Sequence, residues 1–149
     1  MIRFLKILSL FSVLAFSQCS ETKTNNDLGE RLEHLTVDKD SISAFLTTQI
    51  QDLDHYDRII IIPTVGCNDC INEAEQYFID NYSTNKDIWI FTFIDDLKQI
   101  RLKLGSHAIA QNLIIDHDNK LMKYGYISIY PIYMHVSDLN KIYVLDYEK

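Results

Sequence analysis

Ile59-Ile60-Ile61-Ile62-Pro63, then Thr64-Val65-Gly66, then Cys67-Asn68-Asp69-Cys70-Ile71-Asn72-Glu73 is the stretch on which the fold turns. Branched apolar residues closed by a proline predict a buried strand over Arg58 to Pro63. Past the cysteines, Ile71, Ala74, Phe78 and Tyr82 share one stripe, with Asn72, Glu73, Glu75, Gln76 and Asp80 mostly off it. That spacing predicts a helix from Asp69 to Tyr82. A strand therefore runs into a helix whose first turn carries two thiols. The unpaired N–H groups and the dipole of a helix start stabilise a thiolate there. Two cysteines separated by two residues can also close a disulfide with little backbone movement. The layout is that of thiol–disulfide chemistry.

Working outward, Ser83 to Asp87 reads as a turn, and Ile88 to Ile94 as a second strand. The second strand is apolar on both faces, as in a parallel interior strand. Asp95-Asp96 opens a short helix through Leu104, which Gly105 stops. Asn112 to Asp116 is a short extended segment, and Lys120 to Tyr124 a brief helix closed by Gly125. Ile132 to Val136 and Ile142 to Tyr147 are predicted strands, joined by a hairpin-like turn over Ser137 to Lys141. Upstream, Ile42, Phe45, Leu46, Ile50 and Leu53 predict a helix over residues 41–53, with Asp40 or Ser41 as its N-cap. The order is that of an α/β fold: a parallel crossover, then a C-terminal antiparallel hairpin.

The chain has 149 residues, and the first eighteen read as an export leader. Arg3 and Lys6 precede an apolar stretch from Ile7 to Phe16. About ten helical residues cover about 15 Å, half of a bilayer core of about 30 Å. Phe16-Ser17-Gln18-Cys19 resembles a bacterial lipoprotein box, with Gln18 where Gly or Ala is usual. The resemblance implies lipidation of Cys19; the alternative is an ordinary cleaved signal with Cys19 incidental. Residues 19–36 then form a polar tether and 37–149 one domain. Net charge is −7 and becomes two units more negative when Arg3 and Lys6 leave with the leader. That acidity argues against nucleic acid or an anionic membrane surface as a partner. Of three cysteines, a lipidated Cys19 leaves Cys67 and Cys70 as the pair. A staple closing so short a loop constrains the unfolded chain little, which favours reactivity over stability as its purpose.

The element order with CxxC at the helix start resembles the thioredoxin fold, a three-layer sandwich around a central mixed sheet. The closer likeness is to the TlpA/ResA-like, membrane-tethered thioredoxins of bacterial envelopes. Three stretches carry it: Cys67-Asn68-Asp69-Cys70-Ile71-Asn72-Glu73, similar to a CxxCxxE pattern; Tyr124 to Tyr133, with Gly125 and Pro131; and Asp138-Leu139-Asn140-Lys141-Ile142, like the family's last hairpin turn. The resemblance covers roughly residues 58–147 and implies a cis peptide bond before Pro131, facing Cys67. Tyr130 and Pro131 would then line a groove for substrate polypeptide. The chain departs from the family at Val65-Gly66, where an aromatic residue is usual before the first cysteine, and at Glu75, where proline is usual. It also carries Ile61 where thioredoxins proper have a buried acid.

In this reading Cys67 is the nucleophile and Cys70 the resolving thiol. Glu73 is either a solvated acid complementing the helix dipole or the acceptor of the resolving thiol's proton. A zinc site needs about four ligands, and His34, His55, His107, His117 and His135 show no ligand spacing with the motif, so no metal and no cofactor is expected. The expected function is an envelope thiol–disulfide oxidoreductase, tethered by lipid and more reducing than oxidising. Its partners would be protein thiols and disulfides and a redox partner protein. The alternative is a redox-inactive binding lipoprotein on the same scaffold.

Overall fold

The isoleucine run becomes the central strand of an open five-stranded sheet. The computed structural model describes residues 38–145. The strands are β1 (Arg58–Pro63), β2 (Asp87–Thr92), β3 (Leu113–Ile115), β4 (Ile132–His135) and β5 (Asp138–Val144), in the order β3-β2-β1-β4-β5. β1 pairs parallel with β2 and antiparallel with β4, β2 pairs parallel with β3, and β4 pairs antiparallel with β5. The mixed sheet expected from the order of elements is thus present.

Helices cover the sheet on both faces, and strand alternation decides which residue meets which helix. Ile59, Ile61, Ile88 and Ile90 pack with α1 (Lys39–Gln49), through Ile42, Phe45 and Leu46, and with Leu121 of the one-turn α4 (Lys120–Lys123). Ile60, Ile62, Trp89 and Phe91 face the other way, onto α2 (Asn68–Asn81) and α3 (Leu97–Leu104). Strands covered on both sides have no polar face to alternate, which is why β1 and β2 read as unbroken apolar runs.

The two parallel strands are clamped at their first residues. Arg58 and Asp87 are register partners, and the guanidinium grips the buried carboxylate through two hydrogen bonds of 2.8 Å. Such a planar fork is geometrically specific as well as strong. The Asp87 hydrogen bonds hold the Arg58 pKa above its usual value.

Several boundaries differ from the sequence reading. α1 is capped by Asp38, whose carboxylate accepts from the Ser41 amide, rather than by Asp40 or Ser41. It ends at Gln49, and Leu53 belongs to a separate 3-10 turn over Leu53–His55. α2 starts one residue early because Cys67 is its N-cap. β2 stops at Thr92 because Phe93 turns to φ 58°. The hairpin is the largest departure: only Val136 and Ser137 lie between β4 and β5, and Asp138 already pairs with His135. Leu139, Asn140 and Lys141, expected in the turn, stand between the partners of the adjacent Met134 and His135 as a register shift. The Asp138 carboxylate accepts from the Asn140 amide at 3.1 Å, folding the extra residues locally.

The leader, the tether and Cys19 lie outside the described residues. Among the described residues no helix is long and apolar enough to cross a membrane.

Candidate active site

β1 delivers the motif to the carboxyl end of the sheet's central strand, where the chain leaves to pair β2 on one side and, later, β4 on the other. Crevices at such switch points are where open α/β sheets place ligands. Thr64 secures the exit: its amide donates to the Thr92 carbonyl at 2.9 Å and its hydroxyl to the Phe93 carbonyl. Gly66 follows at φ 142°, and Cys67 then caps α2 from an extended conformation.

Cys67 and Cys70 form a disulfide, with Cα atoms 5.4 Å apart. Both residues are half-buried. The Cys67 carbonyl accepts the first α2 hydrogen bond, from Ile71, at 2.9 Å. Its side chain makes no capping bond. The motif therefore sits where amide dipoles converge without a side chain competing for them.

The facing wall is the segment before β4. The Cys67 amide donates to the Ile129 carbonyl at 3.1 Å, which fastens the loop carrying Tyr130 and Pro131 beside the disulfide. Gly66 permits this approach, because a Cβ there would fall on the Ile129 carbonyl oxygen and within 2.9 Å of its Cα. Val65, just before the motif, and Ile127 and Ile129, in the facing segment, are 55%, 67% and 55% exposed, although Leu102 and Ile109, elsewhere on the surface, are more exposed still.

The cis bond expected before Pro131 is absent: every peptide bond among the described residues is trans. The local hydrogen bonding accounts for the conformation. Ser128 is buried, and its hydroxyl accepts from the Tyr130 amide at 3.1 Å and donates to the Tyr130 carbonyl at 2.9 Å. Pro131 is buried, and its carbonyl accepts from Leu145 at 3.1 Å. Tyr130 is half-buried, but both of its backbone groups are engaged within the loop rather than open to a substrate strand.

Glu73 is exposed, and its side chain makes no hydrogen bond or ion pair among the described residues. The carboxylate that α2 buries is Glu75, at the family's proline position, and it pairs with Lys103 of α3. The sequence alone does not assign Gly66, Ser128, Ile129 or Glu75 to the site. Only Gly66 carried a local signal, as one of four glycines in the chain and adjacent to the motif. His135 is exposed and packs edge-on against Tyr133 and Tyr143. No group of three His, Cys, Asp or Glu side chains suited to a metal occurs among the described residues.

No family model, no curated protein and no solved structure matches this chain. Fold and site together define an α/β protein with a mixed five-stranded sheet and a CxxC disulfide at the head of its first crossover helix.

Proposed function

We propose that this protein is a thiol–disulfide oxidoreductase on a thioredoxin-like scaffold of the TlpA/ResA kind, held to a bacterial envelope membrane by lipid on Cys19. The observation that carries the reading is the Cys67–Cys70 disulfide, half-exposed at a helix start beyond the central strand. The apolar surface beside it supports a polypeptide substrate.

In the reducing direction, a Cys67 thiolate attacks a substrate disulfide and forms a mixed disulfide, and one substrate sulfur leaves as a thiolate. The Cys70 thiolate then attacks the Cys67 sulfur, the second substrate sulfur leaves, and the protein is oxidised by two electrons while the substrate is reduced by two. Solvent or the exposed Glu73 takes up the Cys70 proton. A second reading, a redox-inactive binding lipoprotein, draws on Ser128, which occupies the Tyr130 backbone groups that a substrate strand would use.

Full-length protein in detergent should reduce insulin with dithiothreitol as electron source, and Cys70→Ser should accumulate mixed disulfides visible by mass spectrometry. Absence of both favours the binding reading. Cys19→Ala should abolish fatty-acid labelling and membrane retention, since stable anchoring needs acyl chains in combination.

A further inference from the structure

Between α2 and α3, on the flank of the motif, lies a cavity of about 210 Å³. Asn68, Asn72 and Glu75 line it from α2, and Gln99 and Lys103 from α3. They recur at helical spacing, so each helix turns one face to the cavity. Val65, two residues before Cys67, also lines it, as do Asp95 and Asp96 at the start of α3. The side chains of Asn68, Asn72 and Gln99 make no hydrogen bond to one another or to other described residues.

The charges decide what the cavity accepts. Three carboxylates, Glu75, Asp95 and Asp96, face one ammonium, Lys103. The start of α2 adds about half a positive charge, and Asp96 already occupies the start of α3 by accepting from Lys98 and Gln99. The sum remains negative, so a cation is preferred to an anion.

The pair inside is asymmetric: the Glu75 side chain is 7% exposed and that of Lys103 is 49% exposed. A carboxylate buried that deeply requires a cation, whereas an ammonium on a flexible stem can return to water. Lys103 is the exchangeable member.

We propose that this cavity receives a lysine or arginine side chain of the polypeptide whose cysteine reacts at Cys67, the incoming cation taking the place of Lys103 on Glu75. The kinetic part of the test rests on the exchange reaction proposed above; the binding part does not.

The probes are three acetylated tripeptide amides, Lys-Gly-Cys, Gln-Gly-Cys and Glu-Gly-Cys, applied to oxidised full-length protein. A peptide thiolate attacks the Cys67 sulfur, the Cys67–Cys70 bond breaks, and Cys70 leaves as a thiolate that takes a proton from solvent. Mixed disulfide is followed by mass spectrometry, and each rate is normalised to that with oxidised 2-mercaptoethanol, which cancels differences in thiol reactivity. The basic peptide should react about tenfold faster than the acidic one. Glu75→Gln should bring the ratio close to one. Lys103→Met, which removes the competitor, should raise it, and Asp95→Asn should lower it in part. A preference that survives Glu75→Gln, or no preference while exchange proceeds, overturns the proposal. The Cys-free peptide Lys-Gly-Ser should shift the side-chain amide NMR signals of Asn68, Asn72 and Gln99. Such shifts without any exchange uphold the cavity and overturn the redox reading; exchange without them overturns the cavity.

Discussion

Gly66 has φ 142°, a region that side chains rarely enter, and its missing Cβ is the space the Ile129 backbone occupies. The backbone conformation alone costs a non-glycine residue about 1–3 kcal/mol, and the clash adds to it. Gly66→Ala should therefore lower stability by at least about 2 kcal/mol and loosen the Cys67–Ile129 hydrogen bond. Denaturant titration gives the first effect, and hydrogen exchange at the Cys67 amide the second; an unchanged midpoint would refute the packing account. Tyr126 poses a different residue-scale problem. It is fully buried, and burial raises its pKa, with Ser128 acting weakly in the opposite direction while its own hydroxyl is committed to Tyr130. Because the folded pKa lies above the unfolded one, stability is fully present below about pH 10 and falls as pH rises beyond it. Tyr126→Phe should flatten that alkaline limb in thermal melts from pH 8 to 11. A limb of unchanged steepness would assign it to other groups. Both residues show why site chemistry was only partly legible in the sequence. The cysteines announced themselves by type and spacing, whereas Gly66 acts through the Ile129 backbone, some sixty residues away along the chain, and Ser128 through its bonds to Tyr130 in that same distant segment.

At the scale of elements, hydrophobic period was the strong signal and termini the weak one. β1 spans Arg58–Pro63, the bounds expected from its apolar run, since a strand covered on both faces leaves little ambiguity. The starts of α1 and α2 differ from the apolar pattern by one or more residues because the cap is set locally, by the Asp38 carboxylate in one case and by the extended Cys67 backbone, with no side-chain bond, in the other. The hairpin departs from its sequence pattern because Asp138 and Asn140 are turn residues by composition, yet here they sit in an irregular strand. What positions the disulfide is the grip of α2 on the sheet, and Phe78 is its centre. The ring is fully buried and lies edge-on to Trp89 at 5.2 Å and to Phe91 at 5.5 Å between centroids. Phe78→Ala should cost about 3–5 kcal/mol, transfer and cavity terms together. Phe78→Leu, which keeps most of the volume, should cost about 1.5 kcal/mol or less. Equal losses for the two variants would mean that α2 is held by something other than this packing.

For the molecule as a whole, folding and redox state are linked through one thermodynamic cycle. If the folded chain prefers the disulfide more than the unfolded chain does, the oxidised protein is the more stable to denaturant. The folded pair is then the more reducing, by about 30 mV per 1.4 kcal/mol. Strong oxidants show the opposite ordering because their fold stabilises the thiolate. Here the helix start favours a Cys67 thiolate, but Asp69 places an exposed carboxylate in the same first turn. Two like charges about 6 Å apart at an effective dielectric of about 20 repel by roughly 3 kcal/mol, which exposure reduces to a fraction. The nearest long cation of the cavity, Lys103, is already committed to Glu75. Dipole and carboxylate thus largely offset each other, and the chain-entropy contribution of so short a loop, about 2 kcal/mol at most, is left to favour the disulfide. The oxidised protein should be about 1–2 kcal/mol more stable than the reduced one, measured by urea titration with and without tris(2-carboxyethyl)phosphine. Asp69→Asn should narrow that difference by stabilising the reduced form, and raise the reduction potential in step. A reduced form more stable than the oxidised one would reverse the sign of the cycle and make the folded pair more oxidising than the unfolded one.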